Sequence, residues 1–266
     1  MKRRFRVALV VLVIAVIGGL IWMEVRPRNR MFHGEPESVW IESINSADSD
    51  PEFQQWKNFG SEGVPLLVKG LQKGGGRWER FYFKLWPKLP SFLGHRLAKP
   101  VDSIAVRTRS ALILRHMGND AQTAIPALLQ ALDDDCYGVR MNAIAALNAL
   151  SPGMGKAKSD VLPRLIEATR DTFPGVRNNA ILGLKNYPEQ AGVVIPIVVK
   201  ALSDADPNVR FAAIKSLVQL DSATAQKTGV PELLKLVNDG KPEVRLSATK
   251  AIKAIDPEAA AKAGMQ

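Results

Sequence analysis

From residue 105 onward the apolar positions fall into paired runs, each with the i, i+3, i+4, i+7 spacing of a helix buried along one side. The first runs are Ile125, Leu128, Leu129 and Leu132; Leu162, Leu165 and Ile166; Ile195, Val198, Val199 and Leu202; and Val230, Leu233, Leu234 and Val237. Pro126, Pro163, Pro196 and Pro231 stand within them. The first turn of a helix has no intrahelical use for the N–H that proline lacks, so these prolines predict helix starts. The second run opens on a Val-Arg pair thirteen residues after each proline, at Val139-Arg140, Val176-Arg177, Val209-Arg210 and Val244-Arg245. Counted from that valine, positions 0, 4, 7, 8 and 11 are apolar or small, as in Val139, Ala143, Ala146, Leu147 and Leu150. Small residues at 4 and 7 let neighbouring helices approach closely.

The two runs, called A and B, are joined by short polar turns, and the pair repeats every 33 to 37 residues. A helical hairpin of this length cannot bury its apolar side alone, and stacking its copies builds one continuous core. The expected fold is therefore all-α, an α-solenoid of stacked helical hairpins, with regular repeats and a C-terminal cap over residues 105–266. Residues 36–104 predict less regular units. Val64, Pro65, Leu67, Val68 and Leu71 read as an A helix, and Val106, Arg107, Ser110, Ile113, Leu114 and Met117 as a B helix. Between them lies an insertion rich in aromatic and basic residues. A degenerate first unit is expected at 37–44 and 51–59, with Trp40, Phe53, Trp56 and Phe59 filling the volume that aliphatics fill elsewhere. Pro257 to Lys262 can add a short Ala-rich closing helix.

The units, clearest at Asp206-Pro207-Asn208-Val209-Arg210-Phe211-Ala212-Ala213, resemble HEAT repeats, particularly the short phycobilisome-lyase-type form frequent in bacterial proteins. The resemblance covers roughly Val64 to Asp256. It implies a ladder in which an acid of one A–B turn pairs with the B-helix arginine of a neighbouring unit. Arg107, Arg140, Arg177, Arg210 and Arg245 would supply its cations, and Asp135, Asp171, Asp206 and Asp239 its acids. It also implies an open face of B helices, for which Asn142, Asn178, Asn179, Phe211, Lys215, Leu246 and Lys250 are the candidate contact residues.

The first thirty residues differ in kind. Lys2, Arg3, Arg4 and Arg6 form a basic tail over residues 1–6, followed by seventeen uncharged, mostly apolar residues, Val7 to Met23. At about 1.5 Å per residue such a run reaches roughly 26 Å, near the thickness of a bilayer's hydrocarbon core. The bulky residues closing it do not suit a signal-peptide cleavage site, so an uncleaved anchor is expected, then a linker over 24–35. The basic tail would stay cytoplasmic and leave the body outside, in a bacterial setting on the periplasmic side.

The formal charge of +10 does not belong to the repeats. Residues 1–30 hold seven Lys/Arg and one acid and residues 69–109 ten and two, whereas 110–266 hold eighteen and sixteen. Nucleic acid is thereby a poor candidate partner. The insertion sets Arg77, Arg80 and Lys84 among Trp78, Phe81, Tyr82 and Phe83, a mixture that either packs an N-terminal core or meets lipid headgroups or a protein. One cysteine, Cys136, excludes an internal disulfide. Gly153-Met154-Gly155-Lys156 lacks the Ser/Thr and first glycine of a phosphate loop, and Asp133-Asp134-Asp135 lacks the alternating ligands of a calcium loop. Cys136 and His116 have no predictable catalytic partner. No catalytic residue, cofactor or metal site is expected. The expected function is that of a non-enzymatic, membrane-anchored scaffold or adaptor for a protein partner. The alternatives are a lyase-type role in chromophore attachment or chaperoning, implied by the resemblance, and peripheral binding to anionic lipid through the insertion.

Overall fold

The computed structural model describes residues 30–44, 50–74, 77–88, 101–220 and 222–265. The expected tail and anchor over 1–23 lie outside these residues, and among the described ones no helix is long and apolar enough to cross a membrane. The chain enters through a two-stranded hairpin, β1 (Met31–Phe32) and β2 (Glu35–Pro36), turned by His33 and Gly34. Both turn residues have positive φ, 48° and 83°. Helices α1 (Glu37–Ile44) and α2 (Asp50–Phe59) follow. The indole N–H of Trp40 donates to the Phe32 carbonyl at 2.8 Å, and the Phe32, Trp40, Trp56 and Phe59 rings meet edge to face. This aromatic cluster covers the apolar surface at the N-terminal end of the described stack.

The A helices are α3 (Val64–Leu71), α6 (Ile125–Gln130), α8 (Lys158–Ala168), α10 (Ala191–Ala201) and α12 (Ser222–Leu236). The B helices are α5 (Ser103–Met117), α7 (Tyr137–Leu150), α9 (Pro174–Leu184), α11 (Pro207–Gln219) and α13 (Pro242–Ile255), and α14 (Pro257–Lys262) caps the end. Helix α4 (Arg77–Leu85) belongs to the insertion. Two cap carboxylates start B helices: Asp102 accepts from the amides of Ile104 and Ala105, and Asp206 from that of Asn208.

Successive B helices pack along one another more extensively than successive A helices do. Sequence explains the asymmetry. Positions 0, 4, 7, 8 and 11 of α7 are all buried, and so is position 5, Ile144, a site the sequence pattern did not mark. Ile181 and Ile214 repeat it. A B helix is thus covered on two sides, by its own A helix and by its B neighbours, which leaves a narrow outward stripe.

Among the A helices, proline marks the start only in α3 and α6, where Pro65 and Pro126 occupy the first turn. Pro163, Pro196 and Pro231 instead lie inside α8, α10 and α12. The residues ahead of two of these prolines include Val161 and Val194, both fully buried. Burial of a valine, about 1.5–3 kcal/mol, offsets much of the cost of the backbone bond that proline removes.

Candidate interaction surface

Each A–B turn carries a rung of a side-chain ladder. Arg107 holds Asp134, Arg140 holds Asp171, Arg177 holds Asp204, and Arg210 holds Asp239, each through Nε and Nη2 on the two carboxylate oxygens at 2.7–3.2 Å. The third nitrogen, Nη1, turns back to the carbonyl of the arginine's own turn, as from Arg140 to Asp134 at 2.8 Å and from Arg177 to Asp171 at 3.0 Å. Every acid also accepts from the amide two residues on, for example Asp204 from Asp206 at 2.9 Å. One guanidinium therefore clamps two consecutive turns, a use that needs the planar fork of arginine.

Two expected rungs are corrected. Asp134 takes the place of Asp135, and Asp204 that of Asp206, because the ladder acid is the one whose carboxylate folds back on its own turn. Asp135 contributes only a carbonyl to Arg140, and Asp206 caps α11. The acids are fully regular once seen: Asp134, Asp171, Asp204 and Asp239 each stand six residues before an arginine. Arg245 ends the series, donating to the Asp239 carbonyl.

Burial works to raise the carboxyl pKa of Asp171 and Asp204, but the hydrogen bonds from Arg140 and Arg177 and from backbone amides leave both below the usual range. At Asp239 the Arg210 hydrogen bond leads and the carboxyl is again lowered. A folded-state pKa below the unfolded value of about 3.9 means stability that is complete above it and lost as pH falls through the folded value. The stack is expected to hold its stability down to about pH 4 and lose it steeply below. In chemical unfolding measured against pH, Asp239→Asn should flatten that acid slope; an unchanged slope would contradict the coupling.

The B-layer candidates divide. Asn179 donates to the Met141 carbonyl at 3.0 Å and Asn178 to the Asn208 carbonyl at 2.8 Å, so both tie neighbouring units together. Asn142 bonds within α7, to the Gly138 carbonyl at 2.8 Å. Phe211, Lys215, Leu246 and Lys250 face outward. Lys215 sits over the Phe211 ring at 5.6 Å, and an open groove of about 320 Å³ runs between α11 and α13 past Lys215 and Lys250.

In the insertion, α4 packs mainly on the short turn Trp86–Lys88, with the Tyr82 and Trp86 rings edge to face at 5.7 Å. Phe81, Phe83 and Leu85 are exposed rather than part of a core, as is Lys84, while the side chains of Arg77, Trp78 and Arg80 lie outside the described residues. Burial raises the Tyr82 hydroxyl.

The remaining motifs are structural. Met154 is buried and fixes the Gly153–Gly155 turn to the core. Asp134 belongs to the ladder, Asp133 pairs with Arg164 at 2.7 Å, and His116 lies against the Phe53 ring. Cys136, half-buried, gives its amide to Asp134. Among the described residues no group of His, Cys, Asp or Glu could hold a metal ion.

The fold resembles solved repeat structures. A designed armadillo repeat protein in complex with the peptide (KR)4 is 18% identical, with a TM-score of 0.58 over 82% of this chain and 91% of that one. A second designed armadillo repeat protein is 19% identical, with a TM-score of 0.55 over 86% and 96%. No curated protein matches the sequence. Residues 92–184, 162–228 and 195–263 match the model of HEAT repeats, together reaching well over half of the chain. The chain belongs to the HEAT repeat family.

Proposed function

We propose that the protein is a non-enzymatic adaptor whose repeat stack holds a protein partner along its B layer, tethered to a membrane by Val7 to Met23 with the body outside the cytoplasm. The observation that carries this reading is the outward stripe of the B helices. It keeps Phe211 and Leu246 exposed at 37% and 58% in a family whose fold leaves one long face open. The armadillo neighbour bound to (KR)4 is a designed protein with a related stack, and it lends the mode of binding but not the partner. The sequence of 7–23 supports the tether.

A second reading, contact with anionic lipid through α4, has the exposed Phe81, Phe83 and Leu85 beside Lys84 in its favour. Photo-crosslinking separates the two. With the crosslinker placed in the full-length protein in native membranes at Phe211 or Leu246, discrete protein adducts are expected. Controls at Val193 and Leu234 on the A layer should give none. Adducts at all four sites, or at none, would remove the B-layer reading, and lipid adducts from Phe83 would establish the second.

A further inference from the structure

We infer that the α11–α13 face of the B layer binds an extended acidic segment of its partner, with carboxylates about three residues apart. The inference rests on the adaptor reading and names the chemistry of its partner.

Its ground is the segregation of charge. Although residues 110–266 are nearly balanced overall, the five B helices contain one acid between them, Glu243, in the first turn of α13. The described acids of this half otherwise sit in the A–B turns, where the ladder and the helix caps use them, in the A layer at Asp160, Glu167 and Glu232, between units at Asp120 and Glu189, and at the C-terminal cap at Asp256 and Glu258. The outward B stripe keeps cations: Lys215 on α11 and Lys250 on α13, both exposed and each six residues after its helix's valine, with the half-buried Lys185 about a turn further along, just after α9. None of these three forms an ion pair with a described acid. Like charges held on one face without compensating acids add little to folding, but they steer and select an oppositely charged partner.

Shape agrees with charge. The groove between α11 and α13 has an apolar floor of Ile214, Val218, Ala251 and Ala254, and the two lysines rise beside it. Packed helices lie about 8–10 Å apart, and three residues of extended chain cover about 10 Å. Carboxylates three residues apart can therefore meet Lys215 and Lys250 on the two neighbouring helices, while the side chains between lie on the floor or against Phe211 and Leu246. Glu243 lies two turns before Lys250 and repels an acidic chain from the loop end of the groove, which leaves the lysine side open. Phe211 is the one exposed ring of α9, α11 and α13 among the described residues, so the stripe offers no platform on which successive bases could stack.

The test is fluorescence anisotropy of the full-length protein in nanodiscs with three labelled probes. These are a soluble peptide carrying Glu at every third residue with Leu and Ser between, the same peptide with Lys for Glu, and an oligouridylate. The Glu peptide is expected to bind and to weaken as salt is raised. Lys215→Glu with Lys250→Glu should weaken it by about tenfold or more, whereas the exposed controls Lys156→Glu with Lys200→Glu should leave it unchanged. Equal binding of the Lys peptide or the oligouridylate, or indifference to the B-layer reversal, would overturn the inference. Protein adducts at Leu246 without binding of the Glu peptide would keep the adaptor and discard the acidic partner.

Discussion

Asp204→Ala should destabilise the stack by about 2–4 kcal/mol and split its unfolding into two steps. The substitution removes both carboxylate contacts of Arg177, at 2.9 and 2.7 Å, and the acceptor of the Asp206 amide at 2.9 Å. The Arg177 side chain is only 16% exposed, so water restores little of what its Nε and Nη2 lose. The Asp204 carbonyl, which Arg210 uses, survives, and the damage stays at one junction. Stacked repeats are stabilised by nearest-neighbour coupling, and weakening one junction lets the two sides unfold separately. All five tryptophans precede residue 87, so their fluorescence follows the N-terminal side while far-UV circular dichroism follows the whole. The two urea transitions should coincide in the parent and part in the variant. Coincident transitions with a loss below about 1 kcal/mol would show that the rung contributes little to coupling.

Gly183→Leu should cost a similar amount, about 2–4 kcal/mol, by a different route. Gly183 occupies position 7 of α9, where α7, α11 and α13 carry Ala146, Ser216 and Ala251. A Cβ there would run into the side-chain oxygen of Asn148 and lie 3.0 Å from its Cγ. Asn148 cannot step aside freely, since its amide donates to the Asn179 carbonyl at 2.8 Å across the same junction. Swinging it away would break that bond and leave the half-buried Asn148 amide without its partner. Gly183→Ala should cost less, because it brings only a Cβ into the contact while the gain in helix propensity, about 1 kcal/mol, works against the clash. Thermal unfolding of both variants reads the difference, and a Leu variant as stable as the parent would mean that the helices can separate at no cost.

The repeats were legible because their signal is redundant. Val-Arg and proline recur at a fixed distance, and the small column at positions 4 and 7 reports close packing before any coordinates. The ladder was half legible. Its arginines stand out, but its acids have acidic neighbours, Asp133 and Asp135 beside Asp134 and Asp206 beside Asp204. Only the constant spacing of six from the arginine distinguishes a turn-folding carboxylate from a cap. Asn178 and Asn179 misled for a related reason: they lie at the edge of the outward stripe, and a short amide reaches a neighbouring carbonyl from there as readily as it reaches solvent. The prolines of α8, α10 and α12 show tertiary burial overriding a local rule. Where the repeat breaks, at α4, periodicity has no second copy to be checked against, and the pattern alone left open whether Phe81 and Phe83 were core or surface.

Arg107 completes its rung with the carbonyl of Lys73, 34 residues away, where Arg140 uses one six residues away. The difference, 34 − 6 = 28, is the length of chain looped out between two points that the same guanidinium holds together. Closing a loop that much longer costs only about 1.5 kcal/mol of chain entropy, and the rung that spans its base is one the stack forms anyway. The insertion is thus a cassette on a hinge pin. It can be lengthened, exchanged or lost over evolutionary time without disturbing the register of the units on either side, so the repeats and the cassette are free to acquire specificities independently of each other.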